Sequence, residues 1–286
     1  MGATLAHFRA SREGLEHQVQ LACLLEVSAN KPGNITPAHD FSDTSYADMV
    51  RSAVALGPVF TRRRVSRRRV GELIADGVRA TARVAEANTN LGIVLLFAPL
   101  ARAAAVQQPG EPLRSAAERV LAQLDVDDAA AAFAAIVRAR PGGLGEAPEH
   151  DVNAPARVSL REAMAAAAQR DSIASEYATG YAIVFDTGMP LLAEALDDGL
   201  PTLHAIVALH VGLLASRPDT LIERKAGASA ARAVTAAARE VQAGTRTLED
   251  FDASLRADDH RLNPGTTADL VAATLLAALL SGVRLR

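Results

Sequence analysis

Tryptophan is absent from this 286-residue chain, and aromatic residues as a whole make up only 3% of it. β-Sheets are enriched in aromatic and β-branched residues, whereas alanine, which is abundant here, is the best helix former. No convincing run of alternating polar and apolar residues indicates a half-buried strand. The scarcity of aromatic residues therefore argues against a sheet and favours close-packed helices.

Cysteine is almost absent, since Cys23 is the only one in the chain. A single thiol excludes an intramolecular disulfide and any zinc site built from several cysteines. Cys23 is surrounded by leucines on an apolar helix face, where a free cysteine is more often a small core residue than a nucleophile.

Long apolar runs are also lacking. The longest, at 91–100 and 270–280, are shorter than the roughly 20 residues that a membrane span needs. Charged residues within 1–20 interrupt any signal-peptide core. A net charge of -3 does not suit nucleic acid, while 49% hydrophobic residues can form a buried core. We expect a soluble cytoplasmic protein that binds neither membrane nor nucleic acid.

Helical periodicity predicts an all-α orthogonal bundle of about ten or more helices, forming one catalytic domain over residues 1–286. A Gly/Pro-rich stretch at 140–155 is either a domain boundary or a functional loop, and we favour the loop because apolar helices flank it. The predicted helices cover residues 4–25, 45–60, 70–87, 91–105, 115–124, 127–138, 159–170, 172–196, 201–216, 219–243, 247–257 and 266–281.

Four polar segments lie at the ends of these helices. The first, at 26–44, combines Lys, Asn, His and Asp with two prolines and a glycine. Each of the others, at 88–92, 224–227 and 263–269, places amides, hydroxyls or a charge beside a glycine. Polar side chains on stiff loops are typical of phosphate or metal sites.

Lysine is nearly absent, because positive charge in this chain is almost wholly arginine. The two lysines, Lys31 and Lys225, both lie within the polar segments. A lysine in such a place can act as a point charge on a phosphate, the alternative being a solvated loop residue. We predict that both bind substrate, and that Lys31→Ala weakens triphosphate binding more than it affects folding.

Several motifs occur in a recognisable order over most of the chain, from about residue 15 to 282. The first reads Glu-Val-Ser-Ala-Asn-Lys-Pro-Gly-Asn and begins at Glu26. The others lie at 39–40, 88–92, 170–177, 218–227 and 262–270. With these motifs the chain resembles the triphosphoribosyl-dephospho-CoA synthase family. The resemblance implies an all-α fold and a transfer in which the ribose 2′-hydroxyl of 3′-dephospho-CoA displaces adenine from ATP.

One motif departs from the best-studied branch of that family. Residues 39–44 read His-Asp-Phe-Ser-Asp-Thr where that branch favours His-x-Asp-Met. The chain is similar to a branch found in archaea and one-carbon-metabolising bacteria, and the difference bears on the acceptor more than on the reaction class. The alternatives are another nucleotide-dependent phosphotransferase, an ADP-ribosyl-type hydrolase on the same scaffold, or a non-catalytic helical binding protein.

The implied transfer needs a group that holds the triphosphate, a proton donor for adenine and a base for the hydroxyl. Mg²⁺ is expected with ATP, and the candidate ligands are Asp40, Asp43 and Asp269. Asp40 and Asp43 could instead cap the helix that follows them. The candidate catalytic groups are Glu26, His39 and Asp40. Glu26 could instead be a partner for Lys31 or a solvated carboxylate.

The candidate substrate- and phosphate-binding residues are cations, amides and a hydroxyl in the polar segments, where helix starts suit anions. Asn90 could instead be a plain helix cap, and Thr266 could belong to an ordinary Pro-Gly turn. The set comprises Lys31, Asn34, Asn88, Asn90, Arg224, Lys225, Asn263 and Thr266.

An arginine-rich run at 62–69 has no aromatic residue within it. We interpret it as a solvated loop or an electrostatic funnel toward a polyanionic substrate rather than a nucleic-acid site. The expected partners are therefore ATP and a dephospho-CoA-like acceptor. Alanine-rich helices could also pair between subunits, so a homodimer is a further possibility.

Overall fold

The computed structural model of the chain describes residues 14–141, 149–257 and 260–285. These ranges are helical and contain no β-strand, so the predicted all-α fold is confirmed. The fifteen α-helices of this part of the chain are α1 (Leu15–Ser28), α2 (Tyr46–Leu56), α3 (Arg62–Val65), α4 (Val70–Thr81), α5 (Leu91–Val106), α6 (Leu113–Ala122), α7 (Val126–Ala139), α8 (Leu160–Ala167), α9 (Ser172–Thr179), α10 (Met189–Asp197), α11 (Thr202–Ser216), α12 (Thr220–Ala226), α13 (Ala228–Gln242), α14 (Leu248–Arg256) and α15 (Gly265–Leu280).

Two helices without a polar face, α5 and α15, lie at the centre of the molecule. Most residues of both are buried, as expected of helices that are apolar all round. α15 packs against α1, α5 and α11. Small side chains such as Ala98, Ala272 and Ala273 are fully buried there, which allows the helix axes to approach closely.

A second, smaller apolar cluster is built by α11 to α14. Leu214, Ile222, Val234 and Phe251 are buried within it. α11 also contributes Leu209 to the main core, so it joins the two clusters. Within the described ranges no single helix has both the length and the apolar composition to cross a membrane, and only α11 and α12, bent by 60°, pass that test as a pair.

The helix predicted over 172–196 is interrupted in the middle. α9 ends before Gly180 and Tyr181, whose φ angles are 67° and 62°, and a π-helical segment (Ile183–Gly188) then leads into α10. A left-handed conformation is costly for tyrosine. The buried carboxylate of Glu176 accepts the first two backbone N–H groups of the π-helical segment, at 2.8 and 2.9 Å, and so stabilises the break.

Other predicted helix ends were also wrong. The helix predicted over 70–87 ends at Thr81, and the one over 219–243 is divided by Gly227, which has a φ of 90°. The first helix continues past its predicted end to Ser28. Its predicted beginning at 4–13 lies outside the described residues.

The arginine-rich run forms α3 and the approach to α4. Arg64 pairs with Asp76 at 2.5 Å, and Arg68 pairs with Glu72 at 3.0 Å. An exposed pair such as Arg68 with Glu72 contributes about 0–1 kcal/mol, whereas the side chain of Asp76 is only 10% exposed. The run lies before the start of α4, whereas the cavity described below is lined by residues just beyond its end. The run is therefore a solvated, ion-paired surface.

Candidate active site

The loop after α1 is held in place by α14. The backbone N–H of Gly33 donates to Asp252 Oδ1 at 2.7 Å, and Arg256 Nη2 donates to the carbonyl of Asn34 at 2.8 Å. Gly33 has a φ of 74°, and a Cβ there would press against Leu255 and the residue before α15. This position therefore requires glycine, and the rigid turn fixes Asn34 at the cavity wall.

The start of α15 is tied to the loop after α1. Asn34 Nδ2 donates to Asn263 Oδ1 at 2.8 Å, which joins two segments far apart in the chain. At the next turn, Thr267 donates both its backbone N–H and its hydroxyl to Asp219 Oδ2 at 2.7 Å. Asp219 also caps α12 through its other oxygen, so one carboxylate holds the beginnings of α12 and α15 together.

The start of α9 joins the same group of helix ends. Asp171 caps α9 and accepts a hydrogen bond from Arg224 Nη1 at 2.7 Å. The hydroxyls of Thr220 and Thr266 are 3.2 Å apart and connect α12 with α15. Two predicted binding residues, Arg224 and Thr266, are thus brought together by structural hydrogen bonds.

Asn88 satisfies the first turn of α5. Its Oδ1 accepts the backbone N–H of Leu91 at 3.1 Å, whereas Asn90, the residue considered as a cap, makes no such bond. Gly92 lies in the same turn, and a Cβ there would collide with the carboxylate of Asp269. The side chain of Asp269 therefore packs directly against the beginning of α5.

These helix starts surround a cavity of about 1530 Å³. Its wall also includes the end of α1, the loop after it, and both described ends of the Gly/Pro-rich stretch, at 138–141 and 149–152. The structure brings most of the predicted site residues to this one wall. Those that line it are Glu26, Asn34, Asp43, Asn88, Arg224, Lys225, Asn263, Thr266 and Asp269.

Lys31 and Asn90 do not line the cavity and are buried behind it. Lys31 is only 1% exposed, and its Nζ lies 3.0 Å from Glu26 Oε1 and donates to the carbonyl of Glu26. This position corrects the expected direct contact between Lys31 and a phosphate. Its charge instead neutralises Glu26.

His39 and Asp40 are exposed and also lie outside the cavity wall. Asp40 Oδ1 accepts the backbone N–H of Tyr46 at 2.6 Å, which corresponds to the capping alternative. The backbone of His39 pairs with that of Thr36 in a short bridge. The structure therefore places neither residue where it would touch a ligand in the cavity.

The acidic side of the cavity contains Glu26 and Asp269. Burial, followed by the negative charges of Glu26, Asp219 and Asp171, raises the pKa of Asp269 well above its ordinary range. Among the described residues, Asp269 has no hydrogen-bond or ion-pair partner. Cys23 is buried beneath these acids, and burial raises the pKa of its thiol, so it remains a core thiol as predicted.

The basic side chains around the cavity come from several separate elements. Arg224 also has a buried Nε for which no hydrogen-bond acceptor exists among the described residues. Such an unsatisfied donor is costly unless a ligand accepts from it. The cations on the wall are Arg138, Arg140, Arg170, Arg224, Lys225 and Arg261.

Sequence reasoning missed three residues that line the cavity with unusual backbones. Arg140, His150 and His260 have φ angles of 48°, 52° and 60°. Such conformations are uncommon outside glycine and concentrate at functional sites. Nothing in the sequence indicates them, although histidine tolerates the left-handed region better than most residues.

The predicted metal ligands do not form a protein-only metal centre. No group of three or more His, Cys, Asp or Glu side chains is placed to hold a metal ion in the described ranges. Asp43 and Asp269 line the cavity, and Asp40 does not. A cation here would need oxygen atoms from a ligand as well as from the protein.

Comparison with known proteins identifies the family of the chain. No curated protein matches the chain. A crystal structure from Archaeoglobus fulgidus, described as a candidate triphosphoribosyl-dephospho-CoA synthase, is similar with a TM-score of 0.66 and 27% sequence identity. It covers 82% of this chain and 99% of its own. The model of the CitG family, ATP:dephospho-CoA triphosphoribosyl transferase, matches residues 12–285. The chain belongs to the CitG family.

Membership of the CitG family confirms that the chain is a transferase, as the sequence predicted. Residues from the motifs that suggested the family, at 26–34, 88–92, 170–177, 218–227 and 262–270, all contribute to the wall of one cavity. Convergence of distant motifs on one cavity is typical of an active site, and it disfavours a non-catalytic helical scaffold.

Proposed function

We propose that this chain transfers the triphosphoribosyl group of ATP to 3′-dephospho-CoA, or a closely related acceptor, and releases adenine. The proposal depends above all on the Asp269 carboxylate, which lies without a described partner in the cavity wall. The cavity, at about 1530 Å³, exceeds the roughly 300–1,000 Å³ typical of a site for one small ligand. That size supports two nucleotide substrates bound together.

The transfer makes one bond and breaks another at the same carbon. The acceptor 2′ oxygen bonds to C1′ of the ATP ribose while the bond from C1′ to N9 of adenine breaks. The hydroxyl loses a proton and adenine gains one, so the balance needs no further reactant. Positive charge that develops at C1′ favours carboxylates in the wall.

Glu26 is the candidate base for the acceptor hydroxyl. It is 3% exposed and lines the cavity, and the ion pair with Lys31 fixes the orientation of its carboxylate. A base must lie within hydrogen-bond reach of the proton that it takes, and a buried, oriented carboxylate meets that demand better than a solvated one. Lys31 thus acts through Glu26 and does not contact substrate.

Asp269 fits a magnesium ion carried by ATP. Mg²⁺ is commonly bound by one or two carboxylates together with substrate phosphates, so three protein ligands are unnecessary. Burial, and then the nearby negative charges, raise the pKa of Asp269, while Arg224 acts in the opposite direction. A divalent cation bound there would favour the ionised carboxylate. Asp43 is the second candidate ligand. When bound, the ion would neutralise charge on the triphosphate.

The cations of the wall would hold the phosphates. Arg224 lies in the cavity wall, and Lys225 follows it at the end of α12. Arg138 and Arg170 line the cavity from other elements. Guanidinium groups bind phosphate oxygens in pairs, so arginine suits this position.

Product analysis tests the proposal. The protein is incubated with ATP, Mg²⁺ and 3′-dephospho-CoA, and adenine is quantified by chromatography. We expect adenine to form in proportion to consumed acceptor. ADP as the product would indicate a phosphotransferase, and adenine formed without acceptor would indicate a hydrolase; either result would contradict the proposal.

A matched pair of controls refines this assay. An acceptor that lacks the 2′-hydroxyl should give no adenine, because the nucleophile is missing. Asp269→Asn keeps the shape of the side chain but removes its charge and should abolish adenine release. The homodimer, the single catalytic domain and the cytoplasmic location remain predictions.

A further inference from the structure

Two rings from distant parts of the chain stack on each other at the cavity wall. The ring centroids of Phe41 and His260 are 4.0 Å apart with 29° between their planes. Both residues line the cavity and both are half-buried. The contact joins the loop after α1 to the turn before α15.

Both rings are carried on ordered backbone. The N–H of Phe41 donates to the carbonyl of Thr44 at 2.9 Å, and the carbonyl of His260 accepts the N–H of Asn263 at 3.1 Å. Asn263 in turn bonds to Asn34. The two segments are thus connected by an amide pair as well as by the ring stack.

The side chain and the backbone of His260 are both in energetically unfavourable states. Its Nδ1 is buried without a hydrogen-bond partner among the described residues, and its φ of 60° is in the left-handed region. Each feature costs free energy that no described neighbouring group offsets, and such features concentrate at ligand sites. The turn that carries His260 at the cavity wall is therefore both strained and incompletely hydrogen-bonded.

We propose that the Phe41–His260 stack is the purine-binding element of this cavity and holds the adenine ring of a nucleotide substrate. The only other Phe, Tyr or Trp on the described wall is Phe133, which is 6% exposed and packed in the core. The inference rests on the proposed use of adenine nucleotides and adds the part of the cavity that recognises the base. Stacking of a base on an aromatic side chain is worth about 1–3 kcal/mol by truncation to alanine.

Because the chain contains no tryptophan, Phe41→Trp introduces a single tryptophan at the stack, whose emission can be excited selectively over that of the three tyrosines. The variant is titrated in Mg²⁺ with ATP, with 3′-dephospho-CoA and with inorganic tripolyphosphate. We expect the adenine-containing ligand that stacks there to quench the fluorescence, and tripolyphosphate to leave it unchanged. The first two titrations tell which nucleotide supplies the ring. Equal quenching by tripolyphosphate would overturn the proposal.

Calorimetric titration of Phe41→Ala and His260→Asn provides the second test. Asparagine tolerates the left-handed backbone, so it removes the ring without adding strain. Both variants should bind the stacked nucleotide about tenfold or more weaker and tripolyphosphate unchanged. Phe41→Tyr keeps a ring and should bind the stacked nucleotide more tightly than Phe41→Ala does. Val54→Ala, an exposed truncation on α2 that lies outside the cavity wall, should bind as wild type does.

The outcomes separate the two proposals. If the wild type binds ATP or dephospho-CoA and neither ring variant weakens that binding, the stack is not the purine site and the proposed function stands. If the wild type binds neither nucleotide, both proposals fail. If Phe41→Ala does not fold, His260→Asn and the fluorescent variant decide the result.

Discussion

At the scale of single residues, charge burial determines which polar side chains support the fold and which can meet a substrate. Glu26 and Lys31 are 3% and 1% exposed and neutralise each other at 3.0 Å. His210 is also buried, and burial, with a further contribution from the charge of Lys31, lowers its pKa to about 3. Asp269, in contrast, lines the cavity, and its carboxylate has no hydrogen-bond or ion-pair partner among the described residues.

Replacing Lys31 by alanine should strongly destabilise the protein. Removing one partner of a buried ion pair leaves the other charge uncompensated, at a cost of about 3–5 kcal/mol. Urea unfolding of Lys31→Ala measures the loss, and Lys31→Ala combined with Glu26→Gln should recover part of it. A stability equal to that of the wild type, with weaker ATP binding, would restore the sequence-based expectation of direct phosphate contact.

Gly92→Ala should lower activity while the protein remains folded. A Cβ at Gly92 must displace the Asp269 carboxylate, yet alanine favours a helix by about 1 kcal/mol over glycine. Displacing a catalytic group by about 1 Å can cost on the order of 100-fold in rate. Adenine release and thermal unfolding, measured on one preparation, test this. Unchanged turnover would show that Asp269 need not lie against α5.

At the scale of elements, the interruption between α9 and α10 depends on one buried acid. Glu176 is fully buried and accepts the first two N–H groups of the π-helical segment. Burial raises the pKa of Glu176 to about 7, although those N–H groups act in the opposite direction. Arg217 and Asp186 are the other charges that act on it.

The raised pKa of Glu176 makes stability depend on pH. A carboxyl whose pKa is higher in the folded state than in the unfolded state contributes its full stability to the fold at pH values below its unfolded-state pKa. That contribution falls as the pH rises and is lost once the pH passes the folded-state pKa of about 7. The difference between the pKa values of Glu176 in the folded and unfolded states corresponds to a loss of about 3 kcal/mol in the free energy of unfolding between pH 4.5 and 8. Urea unfolding across this range should show the decline.

Glu176→Gln is the control for this pH dependence. It should flatten the decline, although its amide leaves one backbone N–H unsatisfied and lowers the free energy of unfolding at low pH by about 1–3 kcal/mol. Asp219 and Asp269, whose pKa values burial also raises, still contribute a slope of the same sign. A wild-type slope in the Glu176→Gln variant would rule out Glu176 as its origin.

At the scale of the whole molecule, the helical fold could be predicted from composition and periodicity, but the meeting points of its helices could not. The motif order placed Asn34, Asn263 and Asp269 in the same family pattern. The ring stack of Phe41 and His260 joins positions that no local rule connects. Pairing between distant segments depends on the packing of α1 against α15 and on the hydrogen bonds from α14 to the loop after α1, and it is not encoded by spacing along the chain.

The position of Lys31 illustrates the same limit. A lone lysine between two motif residues reads as an exposed phosphate ligand, because lysine is almost never fully buried without a partner. Its partner, Glu26, is five residues earlier, yet the pattern does not reveal that α11 and the rest of the core exclude water from both. Burial is a property of the assembled core.

Ligand binding should stabilise the whole molecule, since the cavity is lined by elements from α1 to α15. Saturation at about 100 times the dissociation constant adds about 2.7 kcal/mol to the free energy of unfolding. Thermal unfolding with Mg-ATP should therefore move upward by several degrees, and Asp269→Asn should reduce the shift. An unchanged transition despite measured binding would mean that ATP binds the unfolded chain equally well.

The helix at the centre of the core, α15, lies late in the chain. During synthesis on the ribosome, α1 and α5 emerge long before α15, so the apolar surfaces that pack against α15 remain uncovered until it is made. Because α15 also carries Thr266 and Asp269, its docking closes the hydrophobic interior and completes the proposed active site in the same event. A nascent chain of this topology stays catalytically silent until that late step.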